Sequence, residues 1–327
     1  MVATEDPPGV GIEPITVVVC TRDRTGLLSR VLGDLAVLDQ AMVSEIVVVD
    51  NAPATSDTAE LVSELRQGNP RLRYVLEPKP GLSAARNAGL RAATTPWVAF
   101  TDDDVRVDAA WAQALISGKT TDRVKCVSGL VAAAELETAA QQRFDRRIPW
   151  ARRVEPMTFR RDNADSPLFP YDSGRFGTGA NLFVNRHFAL GIGGFDELLG
   201  TGTPTGGGED LDFLCRVIVA DGEIVYEPSA LVWHPHPATD DALMRQLHGY
   251  GMGLGAYLAK LALSRHALRV AWRAPRAVVH LLRTTGNLHS ATSEADPQSD
   301  YRSERRTELA GVIAGAVAYS RSRWRTR

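Results

Sequence analysis

Short runs of β-branched residues alternate with stretches of helical periodicity through the first hundred residues, and this alternation constrains the fold most. ITVVVC at residues 15–20 and IVVV at residues 46–49 are predicted to be strands buried on both faces. Two further strands are predicted at residues 73–76 and 97–100, each preceded by a helical stretch. Strands and helices that alternate with short connections are typical of an α/β fold with a parallel sheet.

Three adjacent carboxylates follow the fourth predicted strand. In FTDDDV, Asp102, Asp103 and Asp104 come directly after an apolar run, although like charges repel one another and aspartate is a poor strand former. Open parallel sheets bind ligands beyond the carboxyl ends of their strands. Aspartates at such an end favour a divalent cation, and a turn with capping aspartates is the alternative interpretation.

Polar residues also lie near the carboxyl ends of the other predicted strands. Thr21 and Arg22 follow the first strand, and Asp50 follows the second. GLSAARNAGL leads into the helix before the fourth strand and carries Arg86 and Asn87. Each residue alone could be a turn residue or a surface charge on a helix. Together they predict one ligand site at this edge of the sheet.

The second half of the chain has a less regular pattern. Residues 143–172 are rich in charge and proline and are predicted to form a long surface excursion. Residues 285–303 are polar and predicted to be disordered, between basic helical stretches. The alternating glycines from residue 249 to residue 255 are interpreted as a flexible, close-packing start of those helices. Further strands are predicted at residues 180–184, 224–226 and 231–233.

A carboxylate pair, Glu209-Asp210, opens a predicted helix after a run of glycines. The backbone N–H groups of a helix N-terminus favour a carboxylate, and the glycines give the loop freedom to close over a ligand. The pair is therefore either a helix cap or the general base of a reaction.

His234 and the segment GTGAN are two further candidates with open alternatives. His234 ends an apolar run and precedes a stiffening proline, so it is either a packing residue or a metal ligand. An imidazole beside a carboxylate shifts metal preference towards Mn²⁺. GTGAN at residues 177–181 is either a plain turn before a strand or part of a substrate site.

Taken in order, the segments CTRDR, VVVDNA, GLSAARNAGL, FTDDDV and GEDLDF resemble glycosyltransferase family 2. The resemblance covers about residues 15–237. It implies the GT-A fold, a mostly parallel α/β sheet flanked by helices, here followed by a helical extension. It also implies transfer of a sugar from a UDP-, GDP- or dTDP-linked donor to an acceptor hydroxyl, with inversion at the anomeric carbon.

The resemblance assigns a role to each motif residue. Asp210, in preference to Glu209, matches the general base. Asp104 matches a ligand of Mn²⁺ or Mg²⁺, and in one branch of the family a histidine placed like His234 completes that site. The donor-binding positions are Thr21, Arg22, Asp50, Arg86, Asn87, Asp102 and Asp103, and the acceptor-side positions are Thr178, Gly179 and Asn181.

The chemistry of the residues agrees with these roles. A nucleoside diphosphate gains negative charge as it leaves the sugar, and a metal on Asp104 would stabilise that charge without a proton donor. The same cation would offset the repulsion among the aspartates. Inverting transfer also needs a base on the opposite face of the sugar, to take the proton of the acceptor hydroxyl.

The charge is unevenly distributed along the chain. Residues 243–327 carry 14 Lys and Arg against 5 Asp and Glu, and residues 1–242 carry the opposite balance, −11 against +9. A basic region of this kind predicts an anionic partner, and a solvated basic helix pair is the alternative. Arginines at helical spacing favour a membrane surface, where a lipid-linked or glycan acceptor would wait; they are Arg265, Arg269, Arg273 and Arg276. With little aromatic interleaving, nucleic acid is not expected.

Cysteine usage and apolar runs bear on location. Three widely spaced cysteines fit a reducing cytosol. Residues 1–14 lack the pattern of a signal peptide, and no uncharged apolar run approaches the ~20 residues that span a bilayer. We expect a cytoplasmic protein, peripheral on the inner membrane face, with a flexible terminus at 1–14, a transferase domain at 15–242 and a helical extension at 243–327.

Two other functions compete with glycosyl transfer. A sugar-phosphate nucleotidyltransferase normally carries a Gly-rich loop with basic residues including lysine after its first strand, but residues 21–26 contain one glycine and no lysine. A non-catalytic nucleotide-sugar-binding protein would be favoured by the loss of Asp104 or Asp210, and both are present.

Overall fold

The computed structural model describes residues 13–148, 153–163, 166–269, 271–272 and 298–325. The described residues form one mixed sheet with helices on both faces. The strands are β1 Ile15–Thr21, β2 Val43–Asn51, β3 Leu72–Glu77, β4 Trp97–Asp102, β5 Arg106–Val107, β6 Val124–Ala133, β7 Met157–Phe159, β8 Asn181–Asn185 and β9 Glu223–His234. The helices are α1 Thr25–Ala36, α2 Asp57–Arg66, α3 Leu82–Ala92, α4 Trp111–Ser117, α5 Ala139–Arg147, α6 Arg186–Gly191, α7 Glu209–Val219, α8 Asp240–Ala262 and α9 Gln298–Arg325.

The sheet order is β3-β2-β1-β4-β8-β6-β9-β5, with β7 paired to β9. The first four strands along this path are parallel. β8 then runs antiparallel to both of its neighbours, and β6 and β9 are parallel to each other. The register pairs Thr21 with Asp50 and Cys20 with Asp102, so the carboxyl ends of β1, β2 and β4 meet at one edge.

Alternating side chains of the central strands enter two cores, one on each face of the sheet. Val17 and Val19 of β1 pack on the face that α1 and α4 cover. Val18, between them, packs on the opposite face with side chains of α3 and α7. A strand buried on both faces needs apolar residues at consecutive positions, which explains the unbroken β-branched runs.

Three predictions for the middle of the chain are wrong. β6 was not predicted, and the two strand candidates near residue 230 are one strand, β9, with a register shift where it pairs with β6. The predicted surface excursion instead contributes core residues, because its scattered aromatics are buried: Phe144, Phe159, Phe169 and Tyr171. Its first part is helix α5, which starts with a capping box at Thr138 and Gln141.

The glycines at residues 249 to 255 lie inside helix α8, so they are not a flexible segment, although their close packing is confirmed. A Cβ built on Gly251 or Gly255 would overlap backbone carbonyls of α9, and one on Gly315 of α9 would overlap the carbonyl of Met252. Only glycine lets two helices approach this closely.

The ends of the predicted domains fall partly beyond what the structure describes. Residues 1–12 of the predicted flexible terminus lie outside the described residues, as do Arg273 and Arg276 of the predicted basic face. The segment predicted to be disordered overlaps α9, which is helical from Gln298 onward. Among the helices of the described residues, none combines the length and apolar composition needed to cross a bilayer.

Candidate functional site

The carboxyl ends of β1, β2 and β4 open into a pocket of about 500 Å³. The three sequential aspartates line it beside Thr21 and Arg22. Other parts of the chain complete its wall, and they contribute Arg24, Leu82, Thr201, His234 and Gln246. Of the strand-end residues that the sequence predicted to lie together, Thr21, Arg22 and the three aspartates line this pocket, whereas Asp50, Arg86 and Asn87 do not.

Two arginines, one imidazole and one hydroxyl offset the repulsion among the aspartates. Asp102 accepts from Arg86 at 3.3 Å. Asp103 accepts from Thr21 Oγ1 at 2.6 Å and from Arg24 at 3.1 Å. Asp104 lies 3.3 Å from Arg24 and 3.4 Å from His234, one partner at each carboxylate oxygen.

The aspartates differ in how easily they ionise. Burial raises the pKa of Asp102 and of Asp103. It outweighs the lowering of the Asp102 pKa by Arg86, and the lowering of the Asp103 pKa by the hydrogen bond of Thr21 and the charge of Arg24. Burial acts the same way on Asp104, but the hydrogen bond and charge of His234 outweigh it, so the pKa of Asp104 is lowered. Asp104 is thus held as a carboxylate, the form that binds a cation.

His234 is oriented towards Asp104 by its own backbone neighbour. Its Nδ1 lies 2.9 Å from the carbonyl oxygen of Pro235, which leaves Nε2 facing Asp104 Oδ1. A proton on Nδ1 leaves the Nε2 lone pair free to ligate a metal. His236 lies elsewhere: its buried ring is edge-on to Phe144, and its Nε2 is 3.5 Å from Asp145.

Asp104 and His234 fit a divalent metal as a two-residue set. One carboxylate and one imidazole suit Mn²⁺ better than an all-oxygen set would. Within the described ranges, no group of three or more His, Cys, Asp and Glu side chains is arranged to hold an ion. A metal here would therefore need oxygen ligands from a bound phosphate or from water.

Asp50 is fully buried at the end of β2. Tyr74 donates its hydroxyl to Oδ2 at 3.0 Å. Burial raises the pKa of Asp50, and it outweighs the lowering by the hydrogen bonds of Tyr74 and Thr58. The carboxyl group is therefore held in place within the protein, next to the strand end where the pocket opens.

Arg86 and Asn87, neighbours on α3, serve opposite sides of the helix. Arg86 is buried and donates to Glu209 at 2.8 Å as well as to Asp102. Asn87 exchanges hydrogen bonds with the backbone of Phe195 and donates to Glu197. Its polar atoms are therefore engaged away from the pocket that the aspartates line.

The carboxylate pair at the start of α7 has two distinct environments. Gly208, in a left-handed conformation with φ 86°, starts the helix. Glu209 is buried against Arg86, and burial together with the charge of Asp210 raises its pKa. Asp210 accepts from Gly179 N at 3.1 Å and from Leu211 N at 2.8 Å. Glu209 is thus bound within the protein, whereas Asp210 is held mainly by backbone N–H groups.

The acceptor-side candidates are divided between the site and the core. Gly179 packs against the guanidinium of Arg86 and donates to Asp210. Thr178 Oγ1 is buried without a hydrogen-bond partner. Asn181 lies in the core, where its amide bonds Trp111 and the carbonyls of Leu130 and Ala230.

Three residues near the site were missed by sequence reasoning: Arg24, Gln246 and Tyr250. Gln246 lines the pocket from α8. Tyr250 of α8 packs against Phe144, and burial together with the charges of Asp210 and Asp102 raises its pKa to about 12. Nothing in the helical pattern of α8 separates these residues from ordinary surface positions. Arg24 carried a signal, since it belongs to the quoted CTRDR segment.

Residues 16–180 match the family described as glycosyl transferase family 2. The chain is 31% identical over 267 residues to the succinoglycan biosynthesis protein ExoM of Rhizobium meliloti, covering 79% of this chain and 78% of that protein. It is 27% identical over 234 residues to the pre-mycofactocin glycosyltransferase of Mycobacterium tuberculosis, covering 70% of this chain and 44% of that protein. The chain thus spans less than half the length of the latter relative.

Two solved structures share the fold. The mannosyltransferase PcManGT from Pyrobaculum calidifontis, in complex with GDP-Man and Mn²⁺, superposes with a TM-score of 0.60 at 18% identity, over 96% of this chain and 89% of that one. GalNAc-T7 with UDP, GalNAc and Mn²⁺ gives 0.53 at 16% identity, over 77% and 48%. The predicted GT-A fold is therefore confirmed. With a match over half of its length and a relative above 30% identity, the chain belongs to glycosyl transferase family 2.

Proposed function

We propose that the protein transfers a sugar from a nucleoside-diphosphate sugar to an acceptor hydroxyl, with inversion and with a divalent metal. The observation that supports the proposal is the Asp104–His234 pair in the pocket at the strand ends. Arg86 links this pocket to the start of α7, because it donates both to Asp102 and to Glu209, the neighbour of Asp210.

The donor is expected to bind along the strand ends. Asp50, at the carboxyl end of β2, would accept an N–H of the nucleobase. Asp102, which Arg86 holds in position, would bind the ribose. Asp104 and His234 would hold a divalent cation, which supplies positive charge against the leaving diphosphate. The two solved relatives were both captured with Mn²⁺, one with GDP-Man and one with UDP.

Asp210 is proposed to take the proton of the acceptor hydroxyl at Oδ2. The Gly179 N–H that bonds this oxygen fixes its direction. Glu209 is unsuited to the role, because Arg86 already occupies its carboxylate and burial raises its pKa. Arg86 and Glu209 would instead keep Asp102 and the start of α7 in place.

A donor screen tests the proposal. The purified protein is incubated with UDP-, GDP- and dTDP-sugars in Mn²⁺, in Mg²⁺ and in EDTA, and release of the nucleoside diphosphate is measured. We expect release from one class of donor, and loss of that release in EDTA. A protein that binds none of the donors and releases no nucleotide under any condition would contradict the proposal.

We also propose that α9 holds the protein on an anionic membrane, where a lipid-linked acceptor would be presented. Eleven of the seventeen exposed large apolar side chains of the described residues lie at or after residue 250. On α9, four of them share one side of the helix, which we call the outer face: Leu309, Ile313, Val317 and Trp324.

The charges around the outer face favour phospholipid. Exposed arginines precede and follow the apolar residues; they are Arg302, Arg305, Arg306, Arg321 and Arg325. The glutamates of α9 are turned inward, where Glu304 and Glu308 bond Arg147. An apolar stripe between basic ends is typical of a helix that lies in the membrane interface. The protein would then be peripheral, on a cytoplasmic membrane face.

A further inference from the structure

Arg24 is the cationic side chain of the pocket that bridges two of the aspartates. Its Nη1 lies 3.1 Å from Asp103 Oδ1 and 3.3 Å from Asp104 Oδ2. Its backbone is fixed, because its carbonyl accepts from Leu27 and Leu28 at the start of α1. Its side chain is 53% exposed. The guanidinium can therefore move while its backbone stays in place.

The guanidinium of Arg24 lies close enough to Asp104 to be repelled by a cation bound there. Both oxygens of Asp104 are engaged, Oδ2 by Arg24 and Oδ1 by His234. A divalent ion ligated by Asp104 would come within a few ångströms of the guanidinium. Two positive groups at such a distance repel each other even in water. The ion and Arg24 therefore compete for Asp104.

If Arg24 leaves Asp104, a diphosphate bound in the same pocket would be its second partner. Guanidinium groups bind phosphate with paired, charge-assisted hydrogen bonds. Arg24 lines the same pocket as Asp104 and His234, so a diphosphate held by an ion at those residues lies beside it. The other arginine of the β1–α1 loop, Arg22, lies 3.8 Å from Asp23. Within the described residues it makes no ion pair with the three sequential aspartates of the pocket.

We propose that Arg24 exchanges partners during donor binding. In the empty protein it neutralises Asp103 and Asp104, and when the divalent ion enters it leaves Asp104 for the diphosphate of the donor. This inference rests on the proposed function, since it requires a diphosphate ligand and a metal at Asp104. It makes Arg24 a substitute for the ion in the empty site and a ligand of the donor in the filled one.

The exchange predicts opposite effects of one substitution on two affinities. Arg24→Met removes the competitor of the ion, so Mn²⁺ alone should bind several-fold more tightly. The same change removes charge-assisted hydrogen bonds to the diphosphate, so UDP or GDP should bind ~10- to 100-fold more weakly at saturating Mn²⁺. A purely structural role for Arg24 would move both affinities in the same direction.

The test uses the full chain and two binding measurements. Free Mn²⁺ is measured by electron paramagnetic resonance, and UDP or GDP binding by calorimetry in saturating Mn²⁺. Arg24→Lys, which keeps the charge, should recover part of the nucleotide affinity. Arg106→Met is the matched control: it removes an ion pair with Asp34 outside the pocket, and both affinities should equal those of the wild type.

Each outcome decides the exchange. Tighter Mn²⁺ binding together with weaker nucleotide binding in Arg24→Met supports it. Wild-type values in both measurements, or weakening of both, would overturn it while leaving the proposed transferase function intact, because the wild type would still bind Mn²⁺ and nucleotide. A wild-type protein that binds no nucleoside diphosphate would contradict the proposed function and the exchange with it.

Discussion

Two adjacent carboxylates at the start of α7 have different partners, and that difference separates their roles. Glu209 is bonded to a buried guanidinium, whereas Asp210 accepts two backbone N–H groups. Neighbouring carboxyl groups in unlike environments are a recurrent basis for dividing chemical roles. Substituting one of the two carboxylates therefore tests the proposed base directly.

Asp210→Asn keeps the shape of the side chain and removes the basic oxygen. We expect the rate of sugar transfer to fall by ~10²–10⁴, the usual contribution of general base catalysis. Donor affinity, measured by calorimetry with Mn²⁺, should stay close to that of the wild type, because the strand-end residues proposed to bind the donor are untouched. A transfer rate within a few-fold of wild type would remove Asp210 from the mechanism.

His234→Ala should abolish most of any preference for Mn²⁺ over Mg²⁺, because it leaves the ion with oxygen ligands alone. The measurement is nucleotide affinity in titrations with each metal. His236→Ala is the matched control, since that ring packs on Phe144 and does not line the pocket. Identical metal preference in folded His234→Ala and wild type would leave Asp104 as the sole protein ligand.

Sequence reasoning identified the site residues that lie directly after a strand, and it was less informative for site residues elsewhere in the chain. Thr21 and the aspartates follow from strand ends that meet at one edge. Asn181 looked like a substrate residue but bonds Trp111, which is seventy positions away in the chain. Gln246 reaches the pocket from a helix whose packing the sequence does not determine. Partners that are distant in sequence decide these cases.

Among the elements, the helix pair α8–α9 depends on glycine. Gly255→Ala and Gly315→Ala would each press a Cβ into a carbonyl of the opposite helix, so we expect a loss of ~1–3 kcal/mol in unfolding free energy. Gly249→Ala is the control on the same helix, because nothing lies within 4 Å of the added Cβ. That change should be neutral or stabilising by up to ~1 kcal/mol. Equal denaturation midpoints for all three variants would contradict the packing argument.

Lys260 of α8 forms ion pairs with two carboxylates, and these ion pairs should make the free energy of unfolding depend on pH. Its Nζ lies 2.7 Å from Asp196 and 2.6 Å from Asp212. Burial raises the pKa of Asp196, but the charge and hydrogen bond of Lys260 outweigh it, so this pKa is lowered. A carboxyl group with a lowered folded-state pKa stabilises the protein above its unfolded pKa, and this stabilisation is lost as pH falls.

Lys260→Met leaves the two carboxylates without that cation, and we expect a loss of ~3 kcal/mol at neutral pH. The difference between variant and wild type should shrink as pH falls below about 5, because the wild type loses the same interaction on protonation. Urea denaturation at several pH values measures it. A difference in unfolding free energy that stays constant with pH would show that Lys260 contributes only packing.

The elements themselves were predictable where burial on both faces makes a strand uniformly apolar. β1 to β4 satisfy that condition, and their predicted positions agree with the structure to within a few residues. β6 was missed because its partly exposed end includes Leu130 and the small residues Ala132 and Ala133, which do not alternate. Helix α5 buries single apolar residues among charges, so its amphipathic pattern is too sparse to read.

The uneven charge distribution along the chain predicts binding to anionic membranes, which vesicle flotation can test. In flotation with vesicles, we expect the full chain to bind those that contain phosphatidylglycerol, and binding should fall as salt rises. Ile313→Glu with Val317→Glu places two charges on the outer face of α9 and should reduce the bound fraction at least tenfold. Val37→Glu is the control, because Val37 is 80% exposed at the end of α1.

Two results would contradict the proposed membrane binding by α9. Equal binding to neutral and anionic vesicles would exclude the role assigned to the arginines. A wild-type protein that ignores both vesicles and elutes as a dimer, with a monomeric double variant, would assign the outer face of α9 to self-association instead.

The contact between α8 and the start of α7 sets a limit on how this chain can be shortened. A Cβ on Gly253 would lie 2.8 Å from the backbone nitrogen of Gly208, the residue that starts α7 immediately before Glu209 and Asp210. The same helix carries Gln246 into the wall of the pocket at the strand ends. A fragment ending at residue 242, the boundary that the sequence predicts, would lack the surface against which the carboxylate pair of α7 packs. For expression or crystallisation, the C-terminal helices belong with the sheet as one cooperative unit.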